Sequence, residues 1–254
     1  MCYDDQAQPP ASPNANGQAR GEDLVLTASD GNRFAAYLAT PEQTATAAVL
    51  IYPDVRGLFQ FYKDLALRFA ETGVTALAID YFGRTAGLTS RDESFEFMPH
   101  VQQMRLENFT NDVEAALSYL RDSAGADAKI FAVGFCMGGT LTLLTGANQE
   151  LGFTGLIPFY PGLSRPIGGQ GTALENARRV SYPVLGLFGG ADQGIPQDQV
   201  QQLDDLLDAT GVEHTIIVYP GAPHSFFDRR AAEFAEASSD AWRQIQRFIT
   251  THAG

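Results

Sequence analysis

Two kinds of apolar pattern alternate along the chain. Ala47 to Tyr52 is an unbroken apolar run closed by Pro53, which predicts a buried strand. Val74–Ile79, Ile130–Val133, Leu156–Tyr160, Val184–Phe188 and Thr215–Tyr219 repeat the pattern. Helical spacing separates them. Tyr62–Thr72 carries Leu65 and Phe69 on one side and stops at Gly73. Val101–Arg121 places Val113, Ala116, Leu117 and Leu120 on one face. Met137–Thr145, Gln197–Ala209 and Glu233–Thr251 also read as helices. Upstream, Leu24–Thr27 and Phe34–Leu38 flank the turn signal Ser29-Asp30-Gly31-Asn32 and predict a hairpin. Strands alternating with helices predict an α/β fold, with a mostly parallel central sheet, an antiparallel N-terminal edge and helices on both faces. One domain is expected over 21–254, after a loose polar leader at 1–20. Two irregular insertions, Arg84–Pro99 and Pro161–Arg179, follow strand ends, where open α/β sheets build ligand sites. They are candidate walls or a lid.

Composition narrows the function classes. A chain of 254 residues with formal net charge −13 and no basic stripe lacks the positive footprint of a nucleic-acid binder or an anionic-membrane binder. No apolar run reaches the ~18 residues of a membrane span. The first 18 residues have neither the basic start nor the apolar run of a signal peptide. The two cysteines, Cys2 and Cys136, make a disulfide framework improbable; a reduced Cys136 thiol fits a cytoplasmic protein. No zinc-ligand spacing, cofactor motif or nucleotide-binding loop is present, so no metal or cofactor is expected.

Three short stretches carry candidate chemistry. Gly134-Phe135-Cys136-Met137-Gly138-Gly139 lies between a predicted strand and a predicted helix. That is the setting of a nucleophile elbow, whose glycines relieve a tight turn. The helix starting just beyond offers unsatisfied N–H groups and a positive dipole end, both favouring a thiolate. The bland alternative is a buried structural cysteine. Phe188-Gly189-Gly190-Ala191-Asp192 follows the next-to-last strand and offers a carboxylate to orient an imidazole. A turn or capping Asp is the bland alternative. Tyr219-Pro220-Gly221-Ala222-Pro223-His224-Ser225-Phe226 follows the last strand and offers a general base in His224. His100, His214 and His252 are less well placed. Each stretch alone is weak. The chain order nucleophile, acid, histidine makes Cys136, Asp192 and His224 a coherent triad.

With Tyr52-Pro53-Asp54-Val55-Arg56-Gly57, Asp80-Tyr81-Phe82-Gly83-Arg84 and His224-Ser225-Phe226, the chain resembles the dienelactone hydrolase (carboxymethylenebutenolidase) family of α/β-hydrolases, over nearly everything after residue 22. The resemblance implies cofactor-free opening of a carboxylated enol lactone, dienelactone, to maleylacetate in bacterial breakdown of chlorinated aromatics. It implies thiolate attack, an acyl-enzyme, and an oxyanion hole from the backbone N–H groups of Met137 and Val55. It also implies that Asp54, standing where the family has an acid that is usually Glu, helps form the thiolate. Arg84 matches an arginine gripping the substrate carboxylate. A second such arginine is replaced by Asp228, leaving Arg229 as the neighbouring candidate. Phe226, with Phe82, Phe159 and Tyr160, is expected to line the pocket beside Arg84.

Rival readings remain distinguishable. Class I glutamine amidotransferases share a Gly-x-Cys-x-Gly elbow but carry Glu two residues after the histidine, where Phe226 stands here. A broader carboxylesterase would use the same triad. A redox sensor built on Cys136 would not require Asp192 or His224. A binding-only scaffold would turn over no ester or lactone.

Overall fold

The apolar runs pair side by side because the central ones are buried on both faces and must satisfy their backbone within the sheet; the last run, at the sheet edge, stays half-exposed. The computed structural model describes residues 6–13, 15, 17–45 and 47–254. Its strands are β1 (Ala19–Thr27), β2 (Arg33–Pro41), β3 (Ala47–Tyr52), β4 (Thr75–Ile79), β5 (Lys129–Phe135), β6 (Gly155–Phe159), β7 (Val184–Gly189) and β8 (His214–Tyr219). They form one sheet of order β1-β2-β4-β3-β5-β6-β7-β8. The β1–β2 and β2–β4 pairs are antiparallel, and every later pair is parallel. Every residue of β3, β4, β6 and β7 is buried, as their unbroken apolar runs predict.

The helices are α1 (Gln60–Ala70), α2 (Gly83–Ala86), α3 (Met98–Gln103), α4 (Leu106–Ala124), α5 (Met137–Thr145), α6 (Ala173–Asn176), α7 (Gln197–Asp208) and α8 (Ala235–Ala253). Val113, Ala116, Leu117 and Leu120 are all buried on α4. Phe69 of α1 meets Trp242 of α8 edge to face, with ring centroids 4.8 Å apart.

Two expectations need correction. The helix expected over Val101–Arg121 is broken: Met104 and Arg105 take extended ψ angles of 141° and 129°. Leu106 then donates its N–H to the Gly168 carbonyl of the second insertion, at 2.9 Å. No Pro or Gly marks this break; a distant partner for the first backbone donor of α4 does. The described part of the expected loose leader is bound to the body. The buried indole of Trp242 needs an acceptor and finds the Pro10 carbonyl at 2.8 Å, and Gln246 reaches the Ser12 hydroxyl at 2.7 Å. The expectation for Cys2 lies outside the described residues.

The first insertion is pinned from inside. Arg91 is buried and forks onto Asp80 at 2.9 and 3.1 Å, while its other donors hold the carbonyls of Gly87 and Thr89. Asp80 in turn accepts the N–H groups of Leu58 and Phe82. One carboxylate thus ties the segment after β3 to the segment after β4. In the second insertion, Thr172 and Glu175 form a reciprocal capping box that starts α6.

Candidate active site

The turn from β5 to α5 is as tight as the glycine pattern demands. Cys136 sits at its tip with φ 53° and ψ −112°, a positive-φ conformation that costs a non-glycine residue energy and needs surrounding support. A Cβ on Gly138 would lie 2.1 Å from the Pro53 carbonyl oxygen, and one on Gly134 would lie 2.2 Å from the Gly138 oxygen. The glycines therefore let the first turn of α5 sit directly against the end of β3. This contact brings the Asp54–Val55 segment beside the elbow. The Cys136 N–H donates to the Phe159 carbonyl at the end of β6, at 3.1 Å. Cys136 is partly exposed, and Met137 is the first residue of α5, so its N–H has no acceptor within the helix.

The acid and histidine loops are sewn to each other. Gly190 N–H donates to the Tyr219 carbonyl at 2.8 Å and Ala191 N–H to the Ala222 carbonyl at 2.9 Å. A Cβ on Gly189 would strike the Ala222 oxygen at 2.5 Å. This close seam sets Asp192 against His224: Oδ2 of the buried carboxylate lies 2.6 Å from Nδ1 of the ring, and the histidine keeps 27% of its side chain exposed. A carboxylate at Nδ1 fixes the tautomer that leaves Nε2 to accept a proton. The ring of Tyr160, next in chain after Phe159, lies 4.8 Å from the His224 ring. All three loops therefore meet at the C-terminal end of β6.

Asp54 is buried beside the elbow. Its Oδ1 accepts the Arg56 N–H at 2.9 Å, and its own N–H donates to the Tyr62 hydroxyl at 2.9 Å. Burial, then the charges of Asp54 and Asp228, push the Tyr62 hydroxyl well above its ordinary pKa. Tyr62 thus stays neutral between two carboxylates. Arg56, fully buried with its guanidinium 3.3 Å from the Phe59 ring centroid, is a charged neighbour of this cluster that sequence reasoning did not assign.

Three expected substrate contacts have other surroundings in this structure. Arg84 is held by carboxylates and a carbonyl of the body. Its guanidinium holds Asp30 at 2.6 Å, Asp112 at 2.8 Å and the Asn108 carbonyl at 3.0 Å. Arg84 also lines a hollow of about 50 Å³ with Tyr81, His100 and Phe109, which includes no residue of the three triad loops. The reason is electrostatic: two carboxylates near a flexible stem satisfy the guanidinium locally. Phe226 is not a pocket wall. It is fully buried, packed on Tyr219 at 5.0 Å and Tyr160 at 5.7 Å between ring centroids. Phe82, Phe159 and Tyr160 are equally enclosed. Arg229 is exposed, while Asp228 before it is buried and takes the Arg229 N–H. A larger hollow, of about 290 Å³, lies at the other end of α5 among Leu144, Asn148, Asn176 and Arg179, away from the elbow.

Sheet order, elbow and histidine loop together define an α/β-hydrolase fold. The dienelactone hydrolase family model matches residues 34–253, and the chain belongs to that family. It is a hydrolase of ester and lactone bonds. Among its relatives is a protein of Methylorubrum extorquens named "Putative carboxymethylenebutenolidase", 29% identical over 94% of this chain and 84% of its own length. Similar solved structures include a dienelactone hydrolase-type protein from Klebsiella pneumoniae, with TM-score 0.78 at 23% identity over 91% of this chain and 97% of that one. Another is a dienelactone hydrolase-like promiscuous phosphotriesterase from metagenomic libraries, with TM-score 0.76 at 21% identity over 93% and 99% of the two chains. Among the described residues no helix is long and apolar enough to cross a membrane.

Proposed function

We propose that the chain cleaves ester and lactone bonds with Cys136 as nucleophile, His224 as general base and Asp192 as the group that orients it. The observation carrying this reading is the 2.6 Å bond from Asp192 to Nδ1 of His224, converging on the loop end that receives the Cys136 N–H. His224 Nε2 takes the thiol proton as sulfur bonds to the substrate carbonyl carbon. The carbonyl oxygen becomes an oxyanion held by the N–H groups of Met137 and Val55. Each such donor stabilises the transition state by about 2.7–4 kcal/mol. Collapse breaks the C–O bond, and the imidazolium protonates the departing alkoxide. Water, deprotonated by His224, then attacks the thioester and releases the acid, returning the thiol. Asp54, buried beside the elbow, assists thiolate formation as a carboxylate acceptor for the thiol proton rather than through its charge, which by itself opposes a thiolate.

The substrate range is that of a carboxylesterase rather than a lactonase restricted to carboxylated rings. The commitment of Arg84 to Asp30 and Asp112 favours this breadth. Measuring kcat/KM on p-nitrophenyl acetate and on dienelactone, for wild type and Cys136→Ala, tests both statements. Cysteine-dependent turnover of the neutral ester at least matching that of dienelactone is expected. Undiminished turnover in Cys136→Ala would remove the nucleophile assignment, and a strong preference for dienelactone would restore carboxylate recognition.

A further inference from the structure

Among the described residues, three that are not glycine have positive φ: Cys136 at 53°, Tyr160 at 33° and Ser225 at 61°. One is the proposed nucleophile and one directly follows the proposed base. The third, Tyr160, has no part in the chemistry above. A tyrosine forced into this conformation persists only where its surroundings hold it there.

Those surroundings are specific. The Tyr160 N–H donates to the Leu187 carbonyl at 2.8 Å, which ties it to the strand leading to Asp192. Its ring is fully buried and tilted 54° against the imidazole of His224 at 4.8 Å. Its hydroxyl donates to Asp228 Oδ2 at 3.3 Å. Asp228 is itself buried, and its other oxygen accepts the Arg229 N–H. A buried carboxylate loses hydration and needs such donors. The same carboxylate lies only a few residues beyond His224, so it joins Tyr160 to the loop that carries the base.

A single hydrogen bond leaves an imidazole one freedom. Asp192 holds Nδ1, and the plane of the ring decides whether Nε2 stays on its line to sulfur. A flat, immobile neighbour helps hold that plane. We propose that Tyr160 and Asp228 form a positioning pair: the carboxylate anchors the tyrosine ring, and the ring fixes the plane of His224. This role rests on the proposed Cys136–His224–Asp192 triad and adds a support that the triad itself does not contain.

Tyr160→Phe keeps the ring and deletes only its anchor. Its kcat on p-nitrophenyl acetate is expected to fall about 10-fold, the scale of a small misplacement of a reacting group. KM should stay within about two-fold of wild type, since the hydroxyl is turned away from substrate toward Asp228. Asp228→Ala should lower kcat to a similar degree. The double variant should be no slower than the slower single variant, because the two residues act as one unit. A Tyr160→Phe enzyme with wild-type kcat, a loss confined to KM, or fully additive losses in the double variant would each overturn the proposal. Should Asp228→Ala fail to fold, Tyr160→Phe alone decides through its kcat and KM. Cys136→Ala measured in parallel separates the two levels: if it retains activity the triad reading fails, and if it is inactive while Tyr160→Phe is unimpaired only the positioning role fails.

Discussion

The loops after β5, β7 and β8 and the segment after β4 leave the same sheet, yet they are built by opposite means. In the first group the proposed catalytic side chain lies within a few residues of its strand, and backbone contacts fix it. The Phe159 carbonyl pins Cys136, and the Gly190 and Ala191 N–H groups clip the acid loop onto the histidine loop. After β4, long side chains do the fastening. Arg91 turns back onto Asp80, and Arg84 reaches carboxylates 28 and 54 residues away in sequence. Short reach makes a residue's position state its role. Long reach lets the nearest opposite charges decide it.

The strongest test of the first half is loss of the nucleophile. Cys136→Ala is expected to cut kcat by at least ~10⁴-fold, and Cys136→Ser to recover little, because a hydroxyl ionises far less readily than a thiol. His224→Ala and Asp192→Asn should each cost about 10²–10⁴-fold in kcat, with little effect on KM. A His224→Ala enzyme near wild-type rate would mean that the joined loops serve structure alone. Next comes the elbow backbone. Gly138→Ala places a methyl 2.1 Å from the Pro53 oxygen. It should destabilise the fold by about 1–3 kcal/mol and impair turnover further by displacing the Val55 and Met137 N–H groups. Urea denaturation beside kinetics checks both.

The second half predicts smaller and different effects. Arg84→Gln should lower Tm and change kcat/KM for carboxylated and neutral esters by the same factor. A loss confined to carboxylated substrates would return Arg84 to the binding site. Its stability effect should also depend on acidity. Hydrogen bonds from Arg84 hold Asp30 down at about 2, against an ordinary 3.8. A lowered acid stabilises the fold above its ordinary pKa and loses that contribution as pH falls through the folded value. Asp112 is raised, chiefly by burial, so leaving it charged without Arg84 costs most near neutrality. Both effects have one sign: the Tm gap between wild type and Arg84→Gln should be widest above about pH 4 and narrow toward pH 2.

The same contrast explains what was legible in the chain. Buried parallel strands announce themselves as apolar runs, and the β5–α5 turn announces itself through glycines that no other residue can replace without a clash. The placement of Cys136, Asp192 and His224 at the strand ends could be read because each follows such a strand closely. The break at Met104–Arg105 could not, since it depends on a bond from Leu106 to Gly168. Nor could the Tyr160–Asp228 pair, which joins residues 68 apart. The aromatic residues were visible, but composition cannot tell a wall from a core. Phe226 and Phe159 fill the space beneath the histidine loop. The sole local hint to Tyr160 is that it ends an apolar strand just before Pro161-Gly162, where the chain must turn sharply.

The central claim is that sulfur of Cys136 carries the acyl group. Intact-protein and peptide mass spectrometry after rapid mixing with p-nitrophenyl butyrate and acid quenching reads this directly. A transient butyryl adduct is expected on the peptide containing Cys136, absent from Cys136→Ala and prolonged in His224→Ala once that variant is acylated. Steady turnover by Cys136→Ala, or an adduct on another residue that forms and decays at the turnover rate, would contradict it.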